Sequence, residues 1–226
     1  MEDLKNQILH GVIRNGFEAR RHVAIWNVIV KNVTTIKSFP EVHQNFFGHI
    51  QSLSGDTIIL KTAHIYDPPS KRYVVRSLPA IIKRIESSSF ELIKDLNEHH
   101  ITKYLLTIPN SSHLIDDLNS KPSEFLTNFS SHLKSLINSP NYSDSIKEVK
   151  EIRDKYIAHN ELVTKTINHD FKTIQSLTEL ALNSAIIIES CLFQTSEYFI
   201  DDDISRGTYF IRKTIDDLNT FNHSHK

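Results

Sequence analysis

Arg153 and His159 bracket the stretch RDKYIAHN, residues 153–160, and their types suit phosphate chemistry. An arginine is a permanent cation whose planar, paired donors match phosphate oxygens, while a histidine gains and loses a proton near neutral pH. Together they are the minimum for metal-independent cleavage of a phosphodiester beside a ribose 2'-hydroxyl. The histidine moves the proton, and the arginine stabilises charge growing on phosphorus. Asp154 can orient or polarise the pair, and Lys155 and Asn160 are candidate substrate contacts. Tyr156 continues an apolar stripe with Ile146, Val149 and Ile152, which places it in the core rather than in the chemistry. Six residues at 100° each put Arg153 and His159 about 120° apart around an ideal helix. They converge only if the helix ends near Asn160 or if a second chain completes the site. Asn160 is a helix-end signal, because it tolerates left-handed dihedrals. The same residues also fit an ordinary helix end, where a histidine interacts well with the dipole.

Other candidate chemistry is weaker. The chain has no Walker-type loop, no G-x-G-x-x-G, no H-E-x-x-H and no clustered cysteines, which removes the main support for nucleotide-loop, Rossmann and zinc-protease functions. His99-His100 and His223-Ser224-His225 are read as solvated surface rather than metal ligands, and Asp201-Asp202-Asp203 as a solvated loop before the last helix. No cofactor and no metal is expected. Arg14, Arg20, Arg21 and His22 form one cationic stretch, and Lys71-Arg72 with Tyr73 another that could follow a nucleic-acid backbone, although charged faces of this kind are usually only solvated.

These residues need a scaffold, and 226 residues with 39% hydrophobic content can bury one. The 26 basic and 27 acidic residues leave a net charge of -1, so any polyanion site must be local. The lone Cys191 lies in the apolar SAIIIESCLF and is expected to be buried. No cationic leader and no run of about 18 apolar residues is present, which predicts a soluble, cytoplasmic protein without membrane contact. Five glycines and seven prolines leave few hairpin sites, so long helices are favoured.

Periodicity predicts one or two helices over Leu4 to about Ile36, weakened at Gly11 and Gly16, and another from Pro40 to the DPPSKR turn. Ser77 followed by Pro79 predicts a capped helix start. Further helices are expected from a cap near Ser89 to Leu105, over KPSEFLTNFSSHLKSLIN, and from NYSDSIKEV to the histidine. The most apolar helix, about 25 residues by pattern, follows within HDFKTIQSLTELALNSAIIIESCLF. The sum is an all-α bundle of six to eight helices.

RDKYIAH, late in such a chain and followed by a long apolar helix, resembles the Arg/His motif of the HEPN superfamily. IYDPPSKRYVVRSLPAII is similar to the apolar-Tyr/Phe-Asp segment, loop and Ser-Leu helix of its AbiU-type, abortive-infection branch. The likeness spans about residues 1–195, with 153–160 and 65–82 carrying it. It implies a single HEPN-like all-α domain over 1–226, with additional helices, a motif region at 141–197 and a C-terminal helix at about 206–222. It also implies a homodimer that brings two Arg/His sets into one cleft, RNA as substrate, a toxin or antiviral-defence role, and a possible antitoxin or defence-system partner. Arg153, His159 and Asp154 would be catalytic. Some members instead bind nucleotide, RNA or protein without cleavage, and that alternative stays open, as does a structural role. Toxins of this kind whose antitoxin is a nucleotidyltransferase carry a tyrosine two residues after the histidine; Glu161 stands there here, which argues against that mode of control.

Overall fold

The computed structural model describes residues 1–88, 90–93, 96–158, 171–193 and 200–224, backbone only at 156–158, 200–203, 206 and 223. Every regular element among the described residues is a helix. Helix α1 covers residues 2–31 and is π-wound over Ile8–Ile13. It is followed by α2 (Val33–Lys37), α3 (Glu41–Ile65), α4 (Leu78–Glu86), α5 (Glu98–Leu105), α6 (His113–Ser120) and α7 (Pro122–Ile137). Helix α8 covers residues 140–158, α-helical over Pro140–Ile152 and π-wound over Arg153–Ala158; α9 (Phe171–Leu192) and α10 (Ile200–Ser224) complete the described part. The fold is an all-α, HEPN-like bundle. It has more segments than expected because α2 and α6 are too short for their apolar period to be seen in sequence.

Helix α9 is the axis of the bundle. From Leu180 to Leu192 every residue is buried, and α1, α3, α5, α7 and α8 all pack against it. Phe125 and Phe129 of α7, both fully buried, stack at 5.8 Å and fill the main core with the isoleucines of α4. Two polar residues inside α9 are satisfied, Ser184 Oγ donating to the Leu180 carbonyl at 2.6 Å and Thr178 sharing a 2.9 Å hydrogen bond with Thr62, while the buried Ser190 hydroxyl has no hydrogen-bond partner among the described residues. Cys191 is fully buried, and burial pushes its thiol up to about 12, so it is packing material, not a nucleophile. A smaller cluster, built on Phe39, Phe47 and Ile215, joins the far ends of α1 and α3 to α10.

Two expectations need correction. The cap near Ser89 does not start α5: Phe90–Ile93 have no regular structure, and the helix begins at Glu98, where Asn97 Oδ1 accepts from the His100 N–H at 3.0 Å. Phe90 and Leu92 pack on the core and the Ile93 N–H donates to the Cys191 carbonyl at 3.0 Å, so tertiary burial replaces the helical period there. Ser89 itself lies outside the described residues. Asp201-Asp202-Asp203 are not a separating loop, since α10 starts at Ile200 and runs beyond the expected 206–222; carboxylates are favoured in a first helical turn. The Arg14–His22 stretch behaves as an ordinary charged helix face. Arg14 pairs with Glu18 at 3.0 Å, Arg20 with Glu179 at 3.1 Å, and His22 Nδ1 lies 3.3 Å from Ser54 Oγ.

Candidate functional site

Helix α3 ends at Tyr66, and that end organises the site. The Tyr66 ring is buried, and its hydroxyl donates to the Leu177 carbonyl of α9 at 2.7 Å. Burial drives its pKa far up, so it stays a neutral donor. The next residue, Asp67, is held through its main chain: its carbonyl accepts from Ser77 Oγ at 2.6 Å. Ser77 Oγ also accepts from the Ala80 N–H at 3.4 Å as the cap of α4, as its sequence context predicts. Pro68 and Pro69 stiffen the chain between them.

The rest of that loop is pinned against α1. Gln7 Nε2 donates to the Val75 carbonyl at 3.1 Å, and Arg84 Nη1 donates to Gln7 Oε1 at 3.4 Å. Gly11 lies in the π-wound part of α1, where a Cβ would sit 2.5 Å from the Arg76 carbonyl oxygen. The glycine that weakens a helix in sequence therefore permits a backbone contact that a side chain would block.

Asp67 meets Arg153 where α8 changes from α to π winding. Arg153 Nη1 donates to Asp67 Oδ1 at 2.7 Å, and Nε donates to Asp154 Oδ1 at 2.7 Å. The Arg153 side chain is 18% exposed, against 29% for Asp67 and 58% for Asp154. Partial burial works against its charge, but the hydrogen bonds to Asp154 and Asp67 prevail and hold its pKa above the ordinary value. Two of its edges are thereby fixed, and Nη2 carries no hydrogen bond among the described residues. One turn earlier, half-buried Lys150 has its pKa pushed down by burial, with Asp67 pulling it back up and Arg153 adding to the fall.

Asp154 and Lys155 line a groove of about 1100 Å³ between α4, α7 and α8. Lys155, exposed, pairs with Glu151. The groove floor is apolar, with Pro68, Pro79, Ile82, Ile137 and Ile146, and Lys83, Lys134, Lys147 and Lys150 stand along it. Lys134 is neutralised by Glu86 at 2.9 Å. The structure thus brings Arg153, Asp154 and Lys155 to one corner; His159, Asn160 and the Tyr156 side chain lie outside the described residues. Because the winding from Arg153 to Ala158 is π, the 120° separation of an ideal α-helix does not describe this segment.

Asp67 and Lys150 are the site residues that sequence reasoning did not assign. The signal for Asp67 was present in the IYDPPSKR segment, but nothing in a single sequence pairs it with an arginine 86 residues away. Lys150 carries no signal beyond its charge.

No helix among the described residues is long and apolar enough to cross a membrane. No curated protein and no solved structure matches the chain significantly. The family model of AbiU2, a HEPN family, matches residues 2–203. That span holds both the Asp67 loop and the Arg153 helix end, and the chain belongs to the AbiU2 family of HEPN domains.

Proposed function

We propose that this chain is a metal-independent endoribonuclease of abortive-infection, toxin-like type, working as a homodimer whose two motif ends share one cleft. The observation that carries the reading is the fixed Arg153 guanidinium, held by Asp67 and Asp154 beside the groove, with Nη2 making no hydrogen bond among the described residues. In the reaction His159 takes the proton from a ribose 2'-hydroxyl. The 2'-oxygen then bonds to phosphorus, the bond to the 5'-oxygen breaks, and the leaving oxygen receives a proton from a histidine, its own or the partner copy's. Arg153 steadies the charge on the phosphoryl oxygens, Asp154 orients it, and Lys155 and Asn160 contact the strand. Incubation of RNA with the chain in EDTA tests this. Cleavage ending in a 2',3'-cyclic phosphate, and lost in both Arg153→Ala and His159→Ala, is expected; cleavage that survives either substitution refutes these roles.

One observation favours a second reading, a module that binds RNA or nucleotide without turnover. Two carboxylates already offset the charge of Arg153, so it can hold a phosphate through Nη2 while offering less stabilisation to the extra charge of a transition state. That reading predicts saturable binding weakened by Arg153→Ala, with the RNA recovered intact.

A further inference from the structure

The loop between α3 and α4 forms a second depression, about 460 Å³, on the far side of Pro69 from the Arg153 corner. Lys71, Arg72, Lys83 and Arg84 line it, and no carboxylate does. In a chain of net charge -1 that is a concentrated local excess of positive charge. Pro69 and Lys83 line both hollows, so the two adjoin. Tyr73 is 70% exposed at the second, with its ring in solvent. The side chains of Lys71, Arg72 and Lys83 make no hydrogen bond or ion pair among the described residues, while the loop's route is set by the Gln7–Val75 bond, the Gly11–Arg76 contact and a 3.1 Å bond from the Arg72 N–H to Ser70 Oγ. Cations on a fixed frame without acidic neighbours suit a polyanion, because little ordering entropy is lost when it binds.

We propose that this surface is the continuation of the RNA site: an unpaired strand passes from Arg153 along the apolar groove, crosses Pro69, and is held by Lys71, Arg72, Lys83 and Arg84 with a base against Tyr73. The proposal rests on the reading of the Arg153 corner as an RNA site. A strand is favoured over a free nucleotide because two joined hollows, one with an apolar floor and lysines along it and the other cationic, offer successive places for bases and phosphates. An unpaired strand is favoured over a duplex because the floor of Pro79, Ile82, Ile137 and Ile146 can bury a base face, which pairing and stacking hide.

Wild-type protein and labelled 2'-O-methyl oligonucleotides, which lack the attacking hydroxyl, test this without turnover. Affinity should rise about tenfold or more between a dinucleotide and a strand of about eight nucleotides. Annealing that strand to its complement should abolish the gain. Arg72→Gln with Lys83→Gln, both at exposed positions, should shrink the gain and lower the slope of log affinity against log salt by about 1.4. Tyr73→Ala should weaken the long strand about tenfold. A mononucleotide bound as tightly as the long strand, a duplex bound as well as the single strand, or an unchanged salt slope in the double variant would each overturn the proposal. The cleavage reading fails separately: length-dependent binding with RNA left intact in EDTA removes the ribonuclease and keeps the strand path. Cleavage lost in Arg153→Ala, with a salt slope that ignores Arg72 and Lys83, does the reverse.

Discussion

Residues 180–192 of α9 and residues 150–155 of α8 are both helical, yet they are held by opposite physics. The α9 stretch is buried on every side, with Ser184 turned back onto its own backbone and Asn183 bonded to Thr107. The α8 stretch contains a change of winding, and its Arg153 side chain is held by ion pairs that remain partly wet. Apolar burial is strong and undirected, so it builds the bundle; charge pairs near water add little stability but set a direction. The difference teaches that stability and function are separately addressable here. Substitutions around α9 should unfold the protein, while substitutions at the corner should leave it folded and remove the RNA cleavage proposed for it.

The largest break should come from the core side. Phe129→Ala removes a fully buried ring stacked on Phe125 and should lower the unfolding free energy by about 3–5 kcal/mol in urea titration. Gly11→Ala should follow, at about 1–3 kcal/mol, because the new methyl meets the Arg76 carbonyl and the loop behind Asp67 must move. Tyr66→Phe removes the side-chain donor to the Leu177 carbonyl inside the core, an expected loss of about 1 kcal/mol by the same titration. Asp67→Asn sharpens the comparison: the pair is partly solvated, so stability should fall by about 1 kcal/mol or less. RNA cleavage should nevertheless drop by about tenfold or more, since Arg153 loses its anchor. Equal losses of stability and cleavage would show that the corner is merely structural.

The smallest effect is a pH dependence at His22. Burial, reinforced by Arg21, holds its imidazole below the ordinary range, so the folded protein carries the neutral ring. As pH falls through about 6.5 the unfolded chain takes up the proton first, so this contribution is fully present above that pH and is lost below it. His22→Gln should therefore reduce the fall in Tm between about pH 7.5 and pH 5.5. An unaltered fall would place the titrating group elsewhere.

Much of the scaffold is legible in the residues. The stripes of α7, α8 and α9 stand at helical spacing, and the Ser77-Pro79 start of α4 is a cap whose two bonds the structure supplies. The AbiU-type likeness is carried by two short segments, and the matched family spans both. Where the reading missed, tertiary packing prevailed over local pattern: Phe90–Ile93 bonds to α9 instead of coiling, and α10 takes in three aspartates that look like a loop. The basic stretch at Arg14–His22 has the ordinary fate of a charged helix face, Arg14 pairing with Glu18 and Arg20 with Glu179.

By itself the sequence determined an all-α class, the boundaries of most long helices, and the RDKYIAH stretch, in which a guanidinium and an imidazole stand six residues apart late in the chain. Those are local properties, set by period, caps and residue chemistry within a few turns. Only the tertiary structure decided that Asp67 holds Arg153, that Gly11 admits the loop carrying Lys71 and Arg72, and that two hollows meet at Pro69. Each of these joins residues far apart along the chain, and a contact of that kind is fixed by how the helices pack, not by the propensities of either segment.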